Sequence, residues 1–481
     1  MQTAELFKHP PSLRVFFATE MWERYGFYVV QSLLALYLSL HFKWQDDRVY
    51  SLVGSFTALT YLAPVIGGYI ADNLLGQKRA ILIGAFFLLC SYLTLSFFTS
   101  DLTLPFSLAG IAVGTGLLKP NISSLLGNEY PPGSAKRESG FTIFYMGITS
   151  GIILGTTLPS ILQDHFGWAV CFLSAAFGMI IAIAIFSYGI YLYKIKDYHP
   201  FELRFKNILK AACLLFLLWL LCFSMLYYPQ FANSAFISIV ILSLFYLLYT
   251  IRHEPLEQAR QTAVIALLCI ISVMFWPFYF QMFLSWTLLI SRIAEPTLFG
   301  IDFPPPYYVG IQSAGMIIFG LFLARDKKAL TLKQSGKRTS NKFLISMFFI
   351  TVAFGLIALL TKDRSNTLLS PLYFIPAYLM LSISELLLSP VGLAAITVLA
   401  SRKKVSTMMG IFFVSLGIGG FLSGKLASLT AIKGNVSSFT VSEFKIHYEH
   451  GFSQLFYILL AILGISVILN YLIKYLLAEK K

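Results

Sequence analysis

Glu20, Glu23 and Arg24 stand in the run Thr19-Glu20-Met21-Trp22-Glu23-Arg24-Tyr25-Gly26-Phe27-Tyr28, inside a largely apolar segment from about Leu13 to Leu40. Their spacing of i, i+3 and i+4 puts all three on one face of a helix, and Tyr28 continues that face by another turn. Ionisable groups inside an apolar span are costly and persist where they pair or face a polar path. Carboxylates beside a guanidinium can exchange a proton, and the guanidinium can clasp the carboxylate of a solute. Two more charges lie deep in apolar runs: Lys119 before Pro120 and Glu385 a turn before Pro390. A proline frees a backbone carbonyl and can bend the helix near each charge. A cation in one run and an anion in the other suit a zwitterion, whose carboxylate would lie near Arg24 and Lys119 and whose ammonium would lie near Glu385. The alternative for Lys119 is a structural ion pair with a glutamate. Lys425 is also intramembrane by sequence, but it lies near a span end, where it can snorkel, and it is given no role.

The elements that must position these residues are long apolar helices. Hydrophobic runs cover about 13–40, 49–71, 80–99, 104–127, 141–162 and 168–193, then 211–227 and 234–250, then 263–290, 308–324, 343–360, 372–399, 408–430 and 452–477. Each is long enough to cross a bilayer, and the short alternating strands of a closed barrel are absent. The expected fold class is an all-α polytopic membrane protein of 14 transmembrane helices in the pattern six, two, six. The chain divides into an N-terminal six-helix bundle at 1–196, an inserted hairpin with flanking cytoplasmic linkers at 197–260, and a C-terminal six-helix bundle at 261–481. Two six-helix halves are the arrangement of transporters that hold their substrate at the midplane. The inserted pair is apolar on all sides, and it reads as a lipid-facing hairpin without a transport role.

Composition agrees with this class. Of 481 residues, 57% are hydrophobic and 12% charged, against about half and a quarter in a soluble domain. The mean hydropathy is +0.75. The first span lacks a small-residue cleavage site and reads as a retained helix rather than a signal peptide. The net charge of +14 comes from alternate loops: Lys78 and Arg79, Lys136 and Arg137, Lys194 to Lys210, Arg252 and Arg260, Arg325 to Lys342, and Arg402 to Lys404. That is the positive-inside bias, which puts both termini in the cytoplasm and argues against nucleic acid as a partner. The five cysteines, all in apolar runs, have no metal-ligand spacing and give no disulfide framework. The histidines lie in loops or at span ends, so proton work falls to carboxylates. No nucleotide-binding loop or metal cluster is evident, and neither cofactor nor enzymatic activity is expected.

Between the second and third runs, Gly67 to Arg79 reads Gly-Gly-Tyr-Ile-Ala-Asp-Asn-Leu-Leu-Gly-Gln-Lys-Arg. This resembles the major facilitator signature, with Gly68, Asp72, Gly76, Lys78 and Arg79 as its gating residues. An ordinary basic loop with a glycine turn is the alternative.

The first-helix run and Lys119-Pro120-Asn121-Ile122-Ser123-Ser124-Leu125-Leu126-Gly127 together resemble the proton-dependent oligopeptide transporter family of the major facilitator superfamily, in its bacterial form. So do Phe144-Tyr145-Met146-Gly147-Ile148, Phe275-Trp276 with Gln281, and Glu385 with Leu388-Ser389-Pro390-Val391-Gly392. The resemblance covers nearly the whole chain. It implies a proton-coupled symporter that imports di- or tripeptides by alternating access, with protons as the coupling ion. Glu20, Glu23, Arg24 and Lys119 are then the proton-coupling group. Arg24 and Lys119 also receive the peptide carboxylate, Glu385 receives the amino group, and Tyr28, Tyr61, Tyr145, Thr149, Trp276, Gln281, Ser389 and Phe412 match or lie near substrate-binding positions. A bacterial inner membrane, a peptide or small-molecule substrate and a monomeric state are the corresponding expectations.

The departures from the family pattern cluster in the C-terminal half. Phe280 and Ser291 replace acids of the seventh helix, Thr149 replaces an Asn, and Phe412 stands for a Trp. In the eighth helix, Gln-Ser-x-Asn-Pro reads Gln312-Ser313-Ala314-Gly315-Met316. Coupling is expected to be kept while cargo choice is narrowed or shifted. Another small carboxylate-bearing solute, proton-driven efflux and a receptor-like scaffold are the competing readings, and the retained first-helix charges speak against the scaffold.

Overall fold

The computed structural model describes residues 9–130, 136–197, 204–323, 332–401, 404–434 and 436–478. Of the basic residues invoked for topology, Arg325, Lys327, Lys328, Arg402 and Lys403 lie outside them. Helices dominate the described chain. In order they are α1 (Leu13–Leu36), α2 (Asp46–Ile70), α3 (Gln77–Phe97), α4 (Thr103–Asn128), α5 (Lys136–Phe166) and α6 (Trp168–Tyr193). The inserted pair is α7 (Phe205–Tyr227) and α8 (Pro229–His253). Then follow α9 (Leu256–Tyr279), α10 (Ser285–Ile293), α11 (Pro306–Leu323), α12 (Leu332–Leu360), α13 (Ile375–Leu399), α14 (Val405–Ala427) and α15 (Val441–Leu476).

Among the described residues, 11 helices are long and apolar enough to cross a membrane. α9 and α10 form one of them, from Leu256 to Ile293, broken by a 3₁₀ turn at Phe280–Phe283. The charge-bearing α1 and α4 are continuous helices of 24 and 26 residues, and α11 is an apolar helix of 18. Counting these, each apolar run has its helix among the described residues. α12 and α15 begin well before their apolar runs. Thr440 starts α15 with a reciprocal capping box to Glu443, which satisfies its first N–H groups with polar residues rather than apolar ones.

The chain packs as two compact units. One holds the residues up to Leu33 and Leu59–Phe231; the other holds Leu34–Ala58 and the residues from Ala232 onward. This division by contact cuts through α1 and α2 and separates α7 from α8, whereas the sequence division at 196 and 260 follows the order of helices. In the first unit, Phe106 of α4 meets Trp219 of α7 with ring centroids 4.8 Å apart. In the second, Phe236 of α8 stacks on Phe421 of α14 at 4.2 Å. The outward faces of both hairpin helices remain exposed and apolar.

Small residues set the helix spacing. A Cβ on Gly67 of α2 would lie 2.1 Å from the Gly116 carbonyl oxygen of α4, and one on Gly84 of α3 would lie 2.7 Å from the Gly114 carbonyl oxygen. Backbones this close gain dispersion that a larger residue would forbid. α4, which carries Lys119, is thereby held between α2 and α3. We expect Gly67→Ala to lower stability by about 1–3 kcal/mol through overpacking. Gly464→Ala, at a site with nothing within 4 Å, should be neutral or slightly stabilising. Thermal melting of the two purified variants in detergent checks this, and equal melting temperatures would refute it.

Candidate functional site

In the first unit, α1 is walled in on two sides. Gly147, Gly151 and Gly155 form a stripe on α5, where added Cβ atoms would lie 2.8, 2.3 and 2.6 Å from the carbonyl oxygens of Phe17, Met21 and Tyr25. On another side, a Cβ on Gly26 would meet the Tyr92 ring of α3 at 2.9 Å. Between these contacts the charged residues are buried, with Glu20 at 1%, Glu23 at 0% and Arg24 at 3% exposure. Arg24 clasps Glu23 in a two-point bond: Nε donates to Oε2 at 2.5 Å and Nη2 to Oε1 at 2.6 Å. Glu20 Oε1 lies 3.5 Å from the same Nε, while its buried Oε2 has no hydrogen-bond partner. The guanidinium also lies over the Phe27 ring, 4.8 Å from its centroid.

One cation thus serves two carboxylates. Lys119 of α4 adds a second positive charge close enough to act on Glu20, and its Nζ lies 5.2 Å from the centre of the Tyr61 ring. Pro120 lacks an N–H and frees the Gly116 carbonyl in the turn before Lys119. Tyr28 is half-buried beside Phe27. Tyr145 is exposed, and Thr149 Oγ1 donates to the Tyr145 carbonyl at 3.1 Å. The structure therefore brings Glu20, Glu23, Arg24 and Lys119 into one electrostatic group, with Tyr61 beside it.

In the second unit, the Glu385 carboxylate of α13 accepts two hydrogen bonds on Oε2, from Tyr279 Oη at 2.5 Å and from Gln312 Nε2 at 2.8 Å. Ser389, one turn further along, is half-buried. Three residues read from the sequence as substrate-binding are instead packed. Trp276 is 2% exposed, and its Nε1 donates to Ser272 Oγ at 2.9 Å. Gln281 is fully buried; its Nε2 donates to the Pro277 and Ser423 carbonyls and its Oε1 accepts from Ser285. Those bonds hold the break between α9 and α10, where backbone groups lose their helical partners. Phe412 is buried against Gly392, where a Cβ would meet its ring at 2.6 Å. The identity of these residues was legible from the sequence, and their burial was not.

The signature loop is built around a residue the sequence reading missed. Gly76 takes φ +81°, which favours glycine, and ends a π-helical turn, Ala71–Leu75, that contains the exposed Asp72. Asp197, beyond α6, accepts the Lys78 backbone N–H at 2.9 Å and so caps the N-terminus of α3. Lys78 Nζ donates to the Ile195 carbonyl at 3.0 Å, and Arg79 donates to the Leu75 carbonyl at 3.2 Å. A Cβ on Gly68 would meet nothing within 4 Å.

A second buried ion pair lies within the second unit. Asp46 and Arg292 pair through two bonds of 2.7 Å. Asp46 also accepts the Ile432 N–H at 3.0 Å, and Arg292 donates to Tyr448 Oη at 2.5 Å. Nearby, the buried Lys445 donates to Asp363 Oδ2 at 2.6 Å, to the Thr367 carbonyl at 2.7 Å, and to the carbonyl and hydroxyl of Ser365 at 3.1 Å. The hydrogen bonds from Lys445 and Ser365 hold the Asp363 carboxyl below the usual aspartate range. Arg292 and Lys445 lie just outside the apolar runs at 263–290 and 452–477, and nothing in the sequence points to their partners.

These charged clusters lie inside an array of membrane-length helices, and the chain is an all-α polytopic membrane protein with the major facilitator fold. The sequence model PTR2, the POT family, matches residues 78–441, and the chain belongs to that family. It is 28% identical over 447 residues to the dipeptide and tripeptide permease B of Salmonella typhimurium, covering 90% of this chain and 89% of that one. It is 29% identical over 449 residues to the permease A of Klebsiella pneumoniae, covering 91% and 87%. A solved structure described under substrate recognition in proton dependent oligopeptide transporters superposes with a TM-score of 0.82, at 23% identity, over 97% of this chain and 99% of that one.

Removing one partner of a buried bidentate pair leaves a charge without compensation. Asp46→Ala is expected to cost on the order of 3–5 kcal/mol, and the swap Asp46→Arg with Arg292→Asp should recover part of it. Melting temperatures in detergent decide, and a neutral Asp46→Ala refutes the lock. For Asp363, a folded-state value below the unfolded one means stabilisation that is fully present above the ordinary value of 3.8 and lost as pH falls below it. The melting difference between wild type and Asp363→Asn should therefore be largest near neutrality and shrink below about pH 4. A difference independent of pH would contradict the pairing.

Proposed function

We propose that the protein is a proton-coupled symporter that imports di- and tripeptides by alternating access. The observation that carries this reading is Arg24, clasped by Glu23 while Glu20 keeps a buried, unpartnered oxygen. A cargo carboxylate drawn to Arg24 and Lys119 competes with Glu23 for the guanidinium. The carboxylate so released takes a proton, which removes a buried charge that would otherwise oppose closure. Proton and cargo then bias the same two-state equilibrium. Glu385 binds the cargo ammonium, and Tyr28, Tyr61, Tyr145, Thr149 and Ser389 serve as further contacts. Trp276, Gln281 and Phe412, packed in this conformation, support the site from behind. Gly68, Asp72, Gly76, Lys78 and Arg79 act in gating, with Asp197 as their anchor. The functional division remains two six-helix bundles, 1–196 and 261–481, with the hairpin inserted between them.

The relatives are named as dipeptide and tripeptide permeases, which supports a peptide cargo and a bacterial inner membrane. The basic loops support cytoplasmic termini, and we take the working unit to be a monomer that uses protons and no other cofactor. A second reading, a different small carboxylate-bearing solute, is favoured by α11. There Gly315 stands where the family pattern Gln-Ser-x-Asn-Pro has its Asn, and a Cβ at that position would already crowd Ser382 Oγ at 2.6 Å. Proteoliposomes with an imposed pH gradient test both readings. Labelled di- and tripeptides should accumulate with inward protons, and Lys119→Ala should abolish concentrative uptake. No gradient-driven uptake across the peptide panel rejects the peptide reading, and net export along the proton gradient would establish efflux instead. Unchanged accumulation by Lys119→Ala removes that residue from coupling.

A further inference from the structure

Glu385 is aimed by two neutral donors from two other helices. Tyr279 is the last residue of α9, and Gln312 lies in α11. Both donate to the same oxygen, Oε2, at 2.5 and 2.8 Å. Neither donor is loosely held. The Tyr279 ring is 6% exposed, stacks on Phe275 with centroids 5.9 Å apart, and meets Trp276 edge-on at 5.1 Å. Trp276 is itself fixed by Ser272, which accepts a further bond from Ser415 of α14 at 2.9 Å. Gln312 is 2% exposed, and its backbone carbonyl accepts from Ser382 of α13 at 2.7 Å. Ser382 lies three residues before Glu385, so two side chains of the helix that carries the carboxylate are bonded to Gln312, one at its backbone carbonyl and one at its amide.

We propose that Tyr279 and Gln312 are positioning residues that fix the Glu385 carboxylate for a cargo ammonium and so set the preference for amine-bearing cargo. This rests on the role given to Glu385 above. With Oε2 taken by both donors, the carboxylate has one orientation, and an ammonium meets a group already ordered rather than one that must be immobilised on binding. The phenol and the amide also offset the half-buried negative charge without cancelling it, as a lysine or arginine at either position would. A cargo that lacks an ammonium gains nothing from this arrangement.

Tyr279→Phe removes one hydroxyl and keeps the ring; Gln312→Met removes the other donor at nearly constant length. Equilibrium binding of dialanine and of its desamino counterpart, propionyl-alanine, is measured by titration calorimetry for wild type, each variant, Glu385→Gln, and Tyr279→Phe combined with Glu385→Gln. Loss of a hydrogen bond to a charged group should weaken dialanine about tenfold to a hundredfold, with propionyl-alanine unchanged and no added loss in the Glu385→Gln background. In uptake assays the loss should fall on KM and leave kcat within about twofold. Equal weakening of both compounds, or a further loss in the double variant, overturns the inference and leaves the transport reading standing. Amine-dependent binding without gradient-driven uptake overturns the transport reading and leaves the inference. A wild type that binds both compounds equally removes the amine role of Glu385, and the inference falls with it.

Discussion

The rest of the first unit depends on the clasp between Arg24 and Glu23. An isolated buried charge would be driven to neutrality or out of the membrane, whereas two short parallel bonds recover much of the lost hydration. The packing around the clasp serves its geometry. The glycine stripe of α5 lies against the α1 backbone at Phe17, Met21 and Tyr25, and Tyr92 fills the space that a side chain at Gly26 would need. α1 consequently has little freedom to rotate, and the charged face has one direction. Glu20 breaks the balance. It shares the guanidinium at 3.5 Å and leaves one oxygen without a partner. A cluster built only for stability would satisfy that oxygen or replace it with an apolar group.

What the sequence revealed and what it concealed divide along a physical line. Glu20, Glu23, Arg24, Lys119 and Glu385 were legible because a charge in an apolar run is anomalous in one dimension, and the helical period assigns it a face. The helices were legible because hydrocarbon thickness fixes their length. Pairings across long separations leave no such trace. Arg292 reaches Asp46 across 246 positions, Tyr279 reaches Glu385 across 106 and Lys78 reaches Asp197 across 119. The break at Phe280–Phe283 was hidden because every residue there is compatible with an apolar run, and only the side-chain bonds of Gln281 disclose how its backbone is satisfied. Trp276, Gln281 and Phe412 show the reverse problem: a pattern preserves which residue stands at a position, but exposure is decided by neighbours such as Gly419 and Gly392, whose missing Cβ atoms make room for the Trp276 Cβ and the Phe412 ring.

The two units hold their central polar groups by different means. In the first, carboxylates and cations balance one another, so adding a proton or an anion changes the net charge of the group. In the second, Glu385 is held by a phenol and an amide. The neighbouring break is held by Gln281 and by Phe280, which stacks on Trp276 with centroids 5.4 Å apart. Phe280 cannot titrate, and neither can the amide beside it. A change of protonation would alter the first arrangement directly, whereas the break at Phe280–Phe283 itself holds no titratable side chain.

That difference bears on how one carrier could separate its driving ion from its cargo. On the proposed reading, a proton needs only a buried carboxylate whose partner can be drawn away, and Glu20 and Glu23 beside Arg24 supply it. Recognition of an ammonium needs the opposite property, a carboxylate whose charge and orientation do not change as the cargo arrives. Two donors on one oxygen of Glu385, each pinned by its own packing, provide it. Replacing the seventh-helix acid by Phe280 then does more than delete a charge. Its ring stacks on Trp276 and meets Tyr279 edge-on at 5.6 Å, so on the proposed reading the platform beside the amine site carries no titratable group.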